Sequence, residues 1–477
     1  MGRYIAVDLG ATSGRVALVD TSSGSFDINL VHRFPHEVVE LDGKVCWNWD
    51  LIVTETLVGI KKAAALGPVT SLAIDAWAVD YGFLDKAEAL LPPIVSYRDP
   101  RIVATFADIP ERIGRERIYS TTGIQFISLN TIYQLTAATK DANYLAADIF
   151  LLLPDLLNNV LTGSRTTEIT NASTTQLLNS HSRQWDFDLI EMLGLNPRIF
   201  PELHEPGTTL GVIRGHGELD GITVVATGSH DTASAVAGAP MSDPLSEAYL
   251  SSGTWSLLGI ESATPFTNQA ALDANLTNEL GVDNTVRVLK NITGLWIFEE
   301  CRRAWRDGGQ AHEVEELIAL ARKSTFDSVI NPNDPIFATP ADMPAKVARY
   351  CSDSGQPAPE ELGDFVRTIF LSLALAYQVT MEEIESVTAR SIKKVHILGG
   401  GSQNNYLNQL AADALGKIVS AGPAESTLLG NVAMQAIAAG EFADLAGARA
   451  AIARSVSGAL FTPQNEIDWV ELRKRIY

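Results

Sequence analysis

The chain has 477 residues, 46% of them hydrophobic and 19% charged, which is typical of a globular protein with two or three domains. Its formal net charge of −21 excludes a general electrostatic surface for nucleic acid or for an anionic membrane. The cysteines, Cys46, Cys301 and Cys351, are odd in number and far apart, so we expect free thiols. The first apolar run is too short for a signal peptide and no run approaches a membrane span, so we expect a cytoplasmic protein.

The chain opens with a predicted strand from Tyr4 to Gly10, and a second strand follows from Val16 to Val19. The turn between them is rich in small residues, whose amides and hydroxyls can wrap phosphate oxygens. Asp8 would face those phosphates and would help only if a cation stood between them, which predicts Mg²⁺ held mostly through water. An ordinary glycine hairpin with a solvated Asp8 is the alternative.

Several elements are predicted between this hairpin and residue 177. They are edge strands over 27–40, a helix over 51–65 capped by Asp50, strands over 70–74, 81–84 and 149–153, a helix capped by Asp155, and a polar loop over 170–176. Asp75, Trp77 and Asp80 follow the strand over 70–74, and acids with a tryptophan at a strand end suit a polyhydroxylated ligand. Trp47 is interpreted as a packing residue.

The run from Thr223 to Thr227 predicts a buried strand, and a helix of small residues follows the turn Gly228–Thr232. A strand that leads into a helix through such a turn presents Asp231 at the carboxyl edge of a sheet, where α/β proteins bind ligands. Alternatively, Asp231 is the N-cap of the helix, and the two roles are compatible.

The second half repeats the opening design, because Glu247 to Ser256 reads as a strand followed by a turn of small hydroxyl residues and glycine. This similarity predicts duplicated domains, with boundaries at 1–240 and 241–477. A long amphipathic helix is predicted around Leu362 to Ala376. The strand over 394–398 ends in three glycines at a helix start, which lets a phosphate or a flat ligand approach the backbone, unless the turn is merely crowded.

Together, these turns resemble those of the FGGY carbohydrate kinases, which belong to the sugar-kinase, Hsp70 and actin ATPase superfamily. The motifs that carry the resemblance are DLGATSGR (8–15), IDAWAVD (74–80), YRDPR (97–101), GIQF (123–126), TNASTTQL (170–177), SHDTASAV (229–236), YLSSGTWSLLG (249–259), LKNITGLW (289–296) and GGGSQN (399–404). The resemblance covers most of the chain and implies an α/β fold with two RNase-H-like (actin-like ATPase) domains and a ligand cleft between them.

The resemblance also implies a set of site residues. Asp231 is expected to be the general base, and Asp8 to hold Mg²⁺ through water. The residues expected at ATP are Ala11, Thr12, Ser13, Gly14, Arg15, Thr254, Glu299, Gly400 and Gly401. Those expected at the sugar are Ala78, His230, Asp231, Thr232 and Asn291. The chain departs from the family pattern at Ala78, where glycine is expected, and at Glu299, where glutamine is expected.

The implied partners are ATP and a small-molecule sugar, with no nucleic acid and no membrane, in a monomer or a homodimer. Within this resemblance, the acceptor-side motifs over 75–80, 170–176 and 229–232 favour L-rhamnulose as the substrate. The expected product is L-rhamnulose 1-phosphate. The alternatives are another ketose, such as L-fuculose or xylulose, and a non-catalytic actin-like ATP-binding switch. Asp231 distinguishes a kinase from a non-catalytic switch, since a nucleotide-driven switch needs no carboxylate on the acceptor side.

Overall fold

The computed structural model describes residues 2–339, 341–456, 458–464 and 466–476. Its strands are β1 (Arg3–Leu9), β2 (Ser13–Asp20), β3 (Asp27–Pro35), β4 (Val38–Leu41), β5 (Lys44–Trp47), β6 (Ser71–Ala76), β7 (Tyr81–Leu84), β8 (Leu90–Leu91), β9 (Ile149–Leu152), β10 (Thr166–Glu168), β11 (Leu178–Asn179), β12 (Gln184–Trp185), β13 (Glu202–His204), β14 (Thr209–Val212), β15 (Thr223–Val225), β16 (Glu247–Ser252), β17 (Trp255–Ser262), β18 (Thr277–Leu280), β19 (Val286–Thr293), β20 (Lys394–Leu398), β21 (Ile418–Ala421) and β22 (Ala459–Phe461).

The α-helices are α1 (Trp49–Ala64), α2 (Ile102–Ile109), α3 (Arg115–Thr122), α4 (Thr131–Ala137), α5 (Ala142–Ala146), α6 (Leu153–Thr162), α7 (Ile169–Thr174), α8 (Phe187–Met192), α9 (Asp231–Ala237), α10 (Gln269–Asp273), α11 (Trp296–Asp307), α12 (Val314–Lys323), α13 (Met343–Asp353), α14 (Leu362–Thr388), α15 (Asn405–Leu415), α16 (Ser426–Ala438), α17 (Leu445–Ser455) and α18 (Trp469–Arg473).

The chain forms two compact units. The first comprises Met1–Ser242, Glu261–Val288 and Ser426–Val456, and the second comprises Asp243–Ile260, Leu289–Glu425 and Ser457–Tyr477. Helices α16 and α17 from the end of the chain therefore pack with strands from its beginning.

The first unit is organised around a sheet with the strand order β14-β15-β6-β1-β2-β3. Strand β2 pairs antiparallel with both β1 and β3, whereas β6 pairs parallel with both β1 and β15. Side chains alternate between the two faces of β1, as the twofold period of a strand requires. Ile5, Val7 and Leu9 pack in a core with α1 and α6, while Tyr4 and Ala6 pack against α16 and α17. Asp8 lies on the same face of β1 as Tyr4 and Ala6.

The second unit contains the strand order β19-β17-β16-β20-β21-β22. Strand β16 pairs antiparallel with β17 and parallel with β20, and β20 pairs parallel with β21. The order β19-β17-β16-β20-β21 thus repeats the order β3-β2-β1-β6-β15 of the first unit, each built around a hairpin. The predicted resemblance between the first and middle segments is visible in this shared topology.

Helix α14 is, in the part of the chain that the structure describes, the one helix long and apolar enough to cross a membrane. However, 72% of its most apolar window is buried inside the protein. Leu362 begins the helix, and Val366, Ile369, Leu373 and Ala376 are all buried. The predicted core helix is confirmed.

Some local predictions are wrong. Asn48 rather than Asp50 caps α1, since its side chain accepts from the amide of Leu51. Asp155 lies inside α6, which begins at Leu153, and Pro154 occupies the first turn, where its missing N–H is harmless. Residues 170–176 are largely helical rather than a loop, because the Glu168 side chain caps α7.

Candidate active site

Three backbone segments meet at the carboxyl end of β1 and β6 in the first unit. Asp8 stands opposite Asp75 in the parallel pair, one residue before the end of each strand. The amide of Ala76 donates to the carbonyl of Ser229 at 2.9 Å, and Ala76 forms a parallel bridge with His230. The turn that carries Asp231 is therefore hydrogen-bonded to the end of β6, and three aspartates share one sheet edge.

Asp8 is 3% exposed and forms an ion pair with Arg15, its antiparallel partner on β2. The Oδ2 atom of Asp8 accepts from Nε of Arg15 at 2.7 Å and lies 2.6 Å from its Nη2. Two donors converge on one carboxylate oxygen, which is a strong charge-assisted arrangement. The alternative of a solvated Asp8 is wrong.

Asp75 is fully buried. Its Oδ2 accepts from Nδ2 of Asn431 on α16 at 2.6 Å, while its Oδ1 has no hydrogen-bond partner among the residues that the structure describes. Burial, and then the neighbouring charge of Asp8, hold the pKa of Asp75 well above the usual range. The sequence argument placed Asp75 among sugar-facing acids and did not recognise it as the neighbour of Asp8.

The arrangement suits a cation held mainly by nucleotide phosphates. Among the described residues no group of three or more histidine, cysteine or acidic side chains could hold a metal by itself. Mg²⁺ in phosphoryl-transfer sites usually takes only one or two carboxylates, together with phosphates and water. Asp8 and Asp75 supply two adjacent carboxylates, one with an unpartnered buried oxygen, and these fit that requirement.

Asp231 is the first residue of α9, and the alternative interpretation of it as an N-cap is wrong. His230 occupies the cap position, and no side chain makes a capping hydrogen bond there. The Asp231 side chain is 29% exposed, and its Oδ1 accepts from Oγ1 of Thr232 at 3.1 Å. Desolvation raises the pKa of Asp231; His230 opposes this effect and Asp8 adds to it. A carboxylate that no cap requires is free to serve as a base.

The hairpin turn presents part of the predicted phosphate loop to solvent. Thr12 is exposed, Ala11, Ser13 and Arg15 are half-buried, and Gly14 is buried. A Cβ on Gly14 would lie 2.3 Å from the ring of Phe34, so packing accounts for this glycine. The turn is closed by a hydrogen bond from the amide of Gly10 to the carbonyl of Ser13 at 3.0 Å.

Asp80 is not available to a sugar as the sequence suggested. Its Oδ2 accepts from the indoles of Trp47 at 2.6 Å and Trp77 at 2.8 Å, and its Oδ1 accepts from the amide of Tyr97. Trp47 is 2% exposed, as predicted for a packing residue. Ala78 remains half-buried beside Val79, whose φ of 71° is uncommon for a β-branched residue.

Glu168 supports the turn before Asp231, and sequence reasoning missed it. Its carboxylate accepts from the amides of Thr170 and Asn171, from Oγ1 of Thr170, and from both the amide and Oγ of Ser229. The contacts with Ser229 span 61 residues of chain, so no local pattern signals them.

The remaining predicted residues belong to the second unit. They are Thr254, which is exposed in the β16–β17 turn, Asn291 in β19, Glu299 in α11, and Gly400 and Gly401 after β20. The carbonyls of Gly253 and Thr254 accept from the amides of Leu295 and Trp296, which fixes this turn against the start of α11.

The glycine run after β20 has two different physical causes. Gly399 has a φ of 77°, which favours glycine, and a Cβ on Gly401 would lie 2.1 Å from Oγ of Ser252. A Cβ on Gly400 would meet nothing within 4 Å, so its backbone is open to approach. Glu299 is exposed and forms an ion pair with Arg302 at 2.7 Å, which neutralises the acid that departs from the family pattern.

Comparison with known proteins gives a family for the whole chain. Residues 3–238 match the N-terminal domain model of the FGGY family of carbohydrate kinases, and residues 248–439 match its C-terminal domain model. The rhamnulokinase of Bacteroides thetaiotaomicron is 40% identical over 98% of this chain and 97% of its own length. The rhamnulokinase of Enterococcus faecalis is 41% identical over 98% of this chain and 95% of its own length.

Solved structures support the same two-domain fold. Gluconate kinase from Lactobacillus acidophilus has a TM-score of 0.80 at 15% identity, covering 99% of this chain and 96% of its own. Plasmodium falciparum glycerol kinase with ADP has a TM-score of 0.79 at 17% identity, with the same coverage. The expected actin-like α/β fold and the predicted family are confirmed, and the chain belongs to the FGGY family of carbohydrate kinases.

Proposed function

We propose that this chain transfers the γ-phosphoryl group of ATP to the C1 hydroxyl of L-rhamnulose, giving L-rhamnulose 1-phosphate and ADP. The similarity to rhamnulokinases over nearly the full length supports this substrate, at about 40% identity. The observation that carries the chemistry is Asp231, a carboxylate with a raised pKa and a partly exposed side chain that no helix cap requires.

Asp231 accepts the proton of the attacking hydroxyl. As the bond from the sugar oxygen to the γ-phosphorus forms, the bond from that phosphorus to the β–γ bridging oxygen breaks, and ADP leaves. The transition state of such a transfer is loose, so the proton moves late and positioning dominates catalysis. A non-catalytic ATP switch is disfavoured, because it gives no role to this carboxylate.

Several residues are proposed to contact the ATP phosphates. Ala11, Thr12, Ser13, Gly14 and Arg15 offer backbone amides, hydroxyls and a guanidinium in the first unit. Thr254 offers a hydroxyl, Gly400 offers open backbone near the nucleotide with the tightly packed Gly401 beside it, and Glu299 lies at its margin with its charge countered by Arg302. Asp8, with Asp75 beside it, would hold Mg²⁺, which supplies charge neutralisation on the phosphates.

The sugar contacts in this proposal are Ala78, His230, Thr232 and Asn291, together with Asp231. Their hydroxyl, amide and imidazole groups suit a ligand with many hydroxyls. Of the two predicted domains, 1–240 would carry mainly sugar binding and 241–477 mainly nucleotide binding, with residues 261–288 and 426–456 packed in the first unit. We place the enzyme in the cytoplasm, as a monomer or a homodimer.

A panel of ketoses tests the substrate, with ADP release as the readout and 31P NMR to identify the phosphorylated carbon. L-rhamnulose is expected to give the highest kcat/KM, with L-fuculose and xylulose weaker and glycerol almost inert. A site that bonds a hydroxyl rejects an analogue lacking it by roughly 10⁴-fold. A ketopentose that exceeds L-rhamnulose tenfold would overturn the substrate and leave the kinase assignment intact.

A further inference from the structure

His230 has a buried ion pair on the side of its ring away from Asp231. Its Nδ1 lies 3.1 Å from Nη2 of Arg287 and 3.2 Å from Oε2 of Glu279. Its Nε2 lies 3.4 Å from Oδ1 of Asp231. The imidazole thus stands between a buried Glu–Arg pair and the proposed base, and all four residues belong to the first unit.

The Glu279–Arg287 pair is deeply buried, so its net contribution to stability is expected to be small. The Arg287 side chain is 0% exposed and that of Glu279 is 6% exposed, with 3.1 Å between Nη2 and Oε2. Taking two charges out of water costs several kcal/mol per ion, and apolar replacements of buried pairs are often neutral or stabilising. The pair is held in place by Nε and Nη2 of Arg287, which both donate to the carbonyl of Leu280 at 3.3 Å.

The geometry at Nδ1 selects one tautomer of His230. A guanidinium only donates, so its hydrogen bond to Nδ1 requires that Nδ1 be unprotonated. Oε2 of Glu279 is close to Nδ1 but has no hydrogen bond of acceptable geometry to any described residue, so Glu279 acts by countering the charge of Arg287. The ring proton is therefore on Nε2, which faces Asp231.

This tautomer gives the two oxygens of Asp231 different roles. Oδ1 accepts from Oγ1 of Thr232 at 3.1 Å and faces the Nε2–H of His230 at 3.4 Å. The hydrogen bond from Thr232 and the nearby Nε2–H of His230, which approaches without forming a hydrogen bond, orient the carboxylate and lower the basicity of Oδ1, because interactions that favour the charged form stabilise it. Oδ2 is the atom that remains to receive a proton.

We infer that Glu279 and Arg287 form a positioning pair that fixes the Nε2–H tautomer of His230, which in turn reserves Oδ2 of Asp231 for the sugar hydroxyl. This inference rests on the proposed kinase reaction. Neither Glu279 nor Arg287 touches the reacting atoms; both act through the imidazole.

The tautomer can be measured directly, without an activity assay. Protein labelled with 15N-histidine is observed at pH 8, where an ordinary imidazole is neutral, and His230→Gln identifies the His230 signals by their loss. We expect protonated Nε2 and unprotonated Nδ1 in the wild-type chain. In Arg287→Met the donor is lost and Glu279 becomes an acceptor, so the proton should move to Nδ1. Protonated Nδ1 in the wild-type chain would overturn the inference.

A double-mutant cycle tests whether the pair acts through His230. Glu279→Gln should lower kcat with the preferred ketose on the order of tenfold and leave the KM for ATP unchanged, which is the size of coupling seen between contacting groups. In a His230→Gln background the same change should have no further effect. A loss of equal size in both backgrounds would show a merely structural role and overturn the inference.

A matched control exists at the other end of α9. Arg449 and Glu261 form a buried ion pair at 2.8 Å, and Arg449 donates to the carbonyls of Val236 and Ala237. Glu261→Gln should leave kcat within about twofold of wild type, because this pair does not contact His230 or Asp231.

If Arg287→Met fails to fold, the wild-type tautomer and the Glu279 cycle still decide the question. If no ketose is phosphorylated, the proposed function fails while the tautomer remains measurable.

Discussion

Asp8 and Asp75 occupy the same register position on the adjacent parallel strands β1 and β6, so two carboxyl groups stand side by side at one sheet edge. Asp8 is ion-paired with Arg15, whereas burial and then the charge of Asp8 raise the pKa of Asp75. A cation would stabilise two adjacent carboxylates in this geometry, so the pair fits the Mg²⁺ that we propose to bind here with the nucleotide.

We therefore expect Asp8→Ala to raise the Mg²⁺ concentration needed for half-maximal activity and to depress kcat. The removal of one anchor should weaken cation positioning by roughly 10- to 100-fold in activity. Steady-state kinetics over a Mg²⁺ titration measure this effect. Asp20→Ala is the control, since Asp20 lies at the other end of the same hairpin and pairs only loosely with Arg3 at 3.9 Å. An unchanged Mg²⁺ dependence in the Asp8 variant would contradict the assignment.

Asp231→Asn should abolish phosphorylation and leave sugar binding largely intact. The amide keeps the shape of the side chain but cannot accept the proton of the attacking hydroxyl. Loss of a general base typically costs roughly 10²–10⁴-fold in kcat. Coupled ADP release measures the rate and calorimetry measures sugar affinity. Activity within a few-fold of wild type would remove Asp231 from its role.

The raised pKa of Asp80 should make the free energy of unfolding depend on pH. Burial raises the pKa of Asp80 from 3.8 to about 6, although the hydrogen bonds from Trp77 and Trp47 oppose the shift. The folded state thus retains a proton that the unfolded chain releases near pH 4. The stabilisation by this proton is fully present below about pH 4 and is lost as the pH rises through 6, by roughly 3 kcal/mol.

Urea unfolding of wild type and Asp80→Asn between pH 4.5 and 7.5 isolates this contribution, since Asn does not titrate. The wild-type free energy of unfolding should fall relative to that of the variant as the pH rises. A difference between the two proteins that is constant across this range would mean that Asp80 has an ordinary pKa in the folded state.

The sequence predicted elements whose causes are local. The opening hairpin follows from alternation and a glycine turn, and α14 follows from its apolar stripe. Helix α7 was missed because its small hydroxyl residues are typical of loops, and the helix begins there because Glu168 caps it. The family motifs directed attention to Asp8 and Asp231 for the same reason, since Asp8 lies one residue before the end of β1 and Asp231 begins α9.

The support of the site could not be predicted in this way. Asn431 reaches Asp75 across 356 residues of chain, and Arg287 reaches His230 across 57. Their partners are set by how β6, α9, α16 and β19 pack, and no spacing rule connects residues so far apart. The sequence does not distinguish a buried arginine such as Arg287 from a surface one, so only the structure identifies it as part of the site.

Helices α9 and α16 approach each other closely enough that a methyl group cannot be added. A Cβ on Gly430 would lie 1.8 Å from the carbonyl oxygen of Ser234. Gly430→Ala should therefore lower the free energy of unfolding by roughly 1–3 kcal/mol and reduce kcat, because α9 begins with Asp231. Denaturant unfolding and steady-state kinetics measure both effects.

Gly447→Ala is the matched control for this change. Gly447 is an exposed residue of α17, and its added Cβ would have only an ordinary contact with Asp444 at 3.4 Å. Alanine there should preserve or raise stability by up to about 1 kcal/mol. Equal stability losses in both variants would show that the contact between α9 and α16 is not the cause.

Ala78 is the position where this chain departs from the family glycine, and it tests substrate choice. Ala78 lies in the chain between Trp77, whose indole donates a hydrogen bond to Asp80, and Val79, whose backbone is left-handed, so the backbone on both sides is constrained. One methyl in a pocket changes discrimination by about 10- to 200-fold at most. Ala78→Gly should widen the sugar side and raise kcat/KM for L-rhamnulose relative to xylulose.

The ratio of the two kcat/KM values is the measurement, because it cancels differences in enzyme stability and active fraction. Glycine itself should cost about 0.5–1 kcal/mol of stability through backbone entropy, independently of any sugar. Ala87→Gly, in the exposed turn after β7, controls for that entropy and should leave the ratio unchanged. If Ala78→Gly also left the ratio within twofold of wild type, Ala78 would not contact the sugar, and its departure from the family pattern would carry no consequence for specificity.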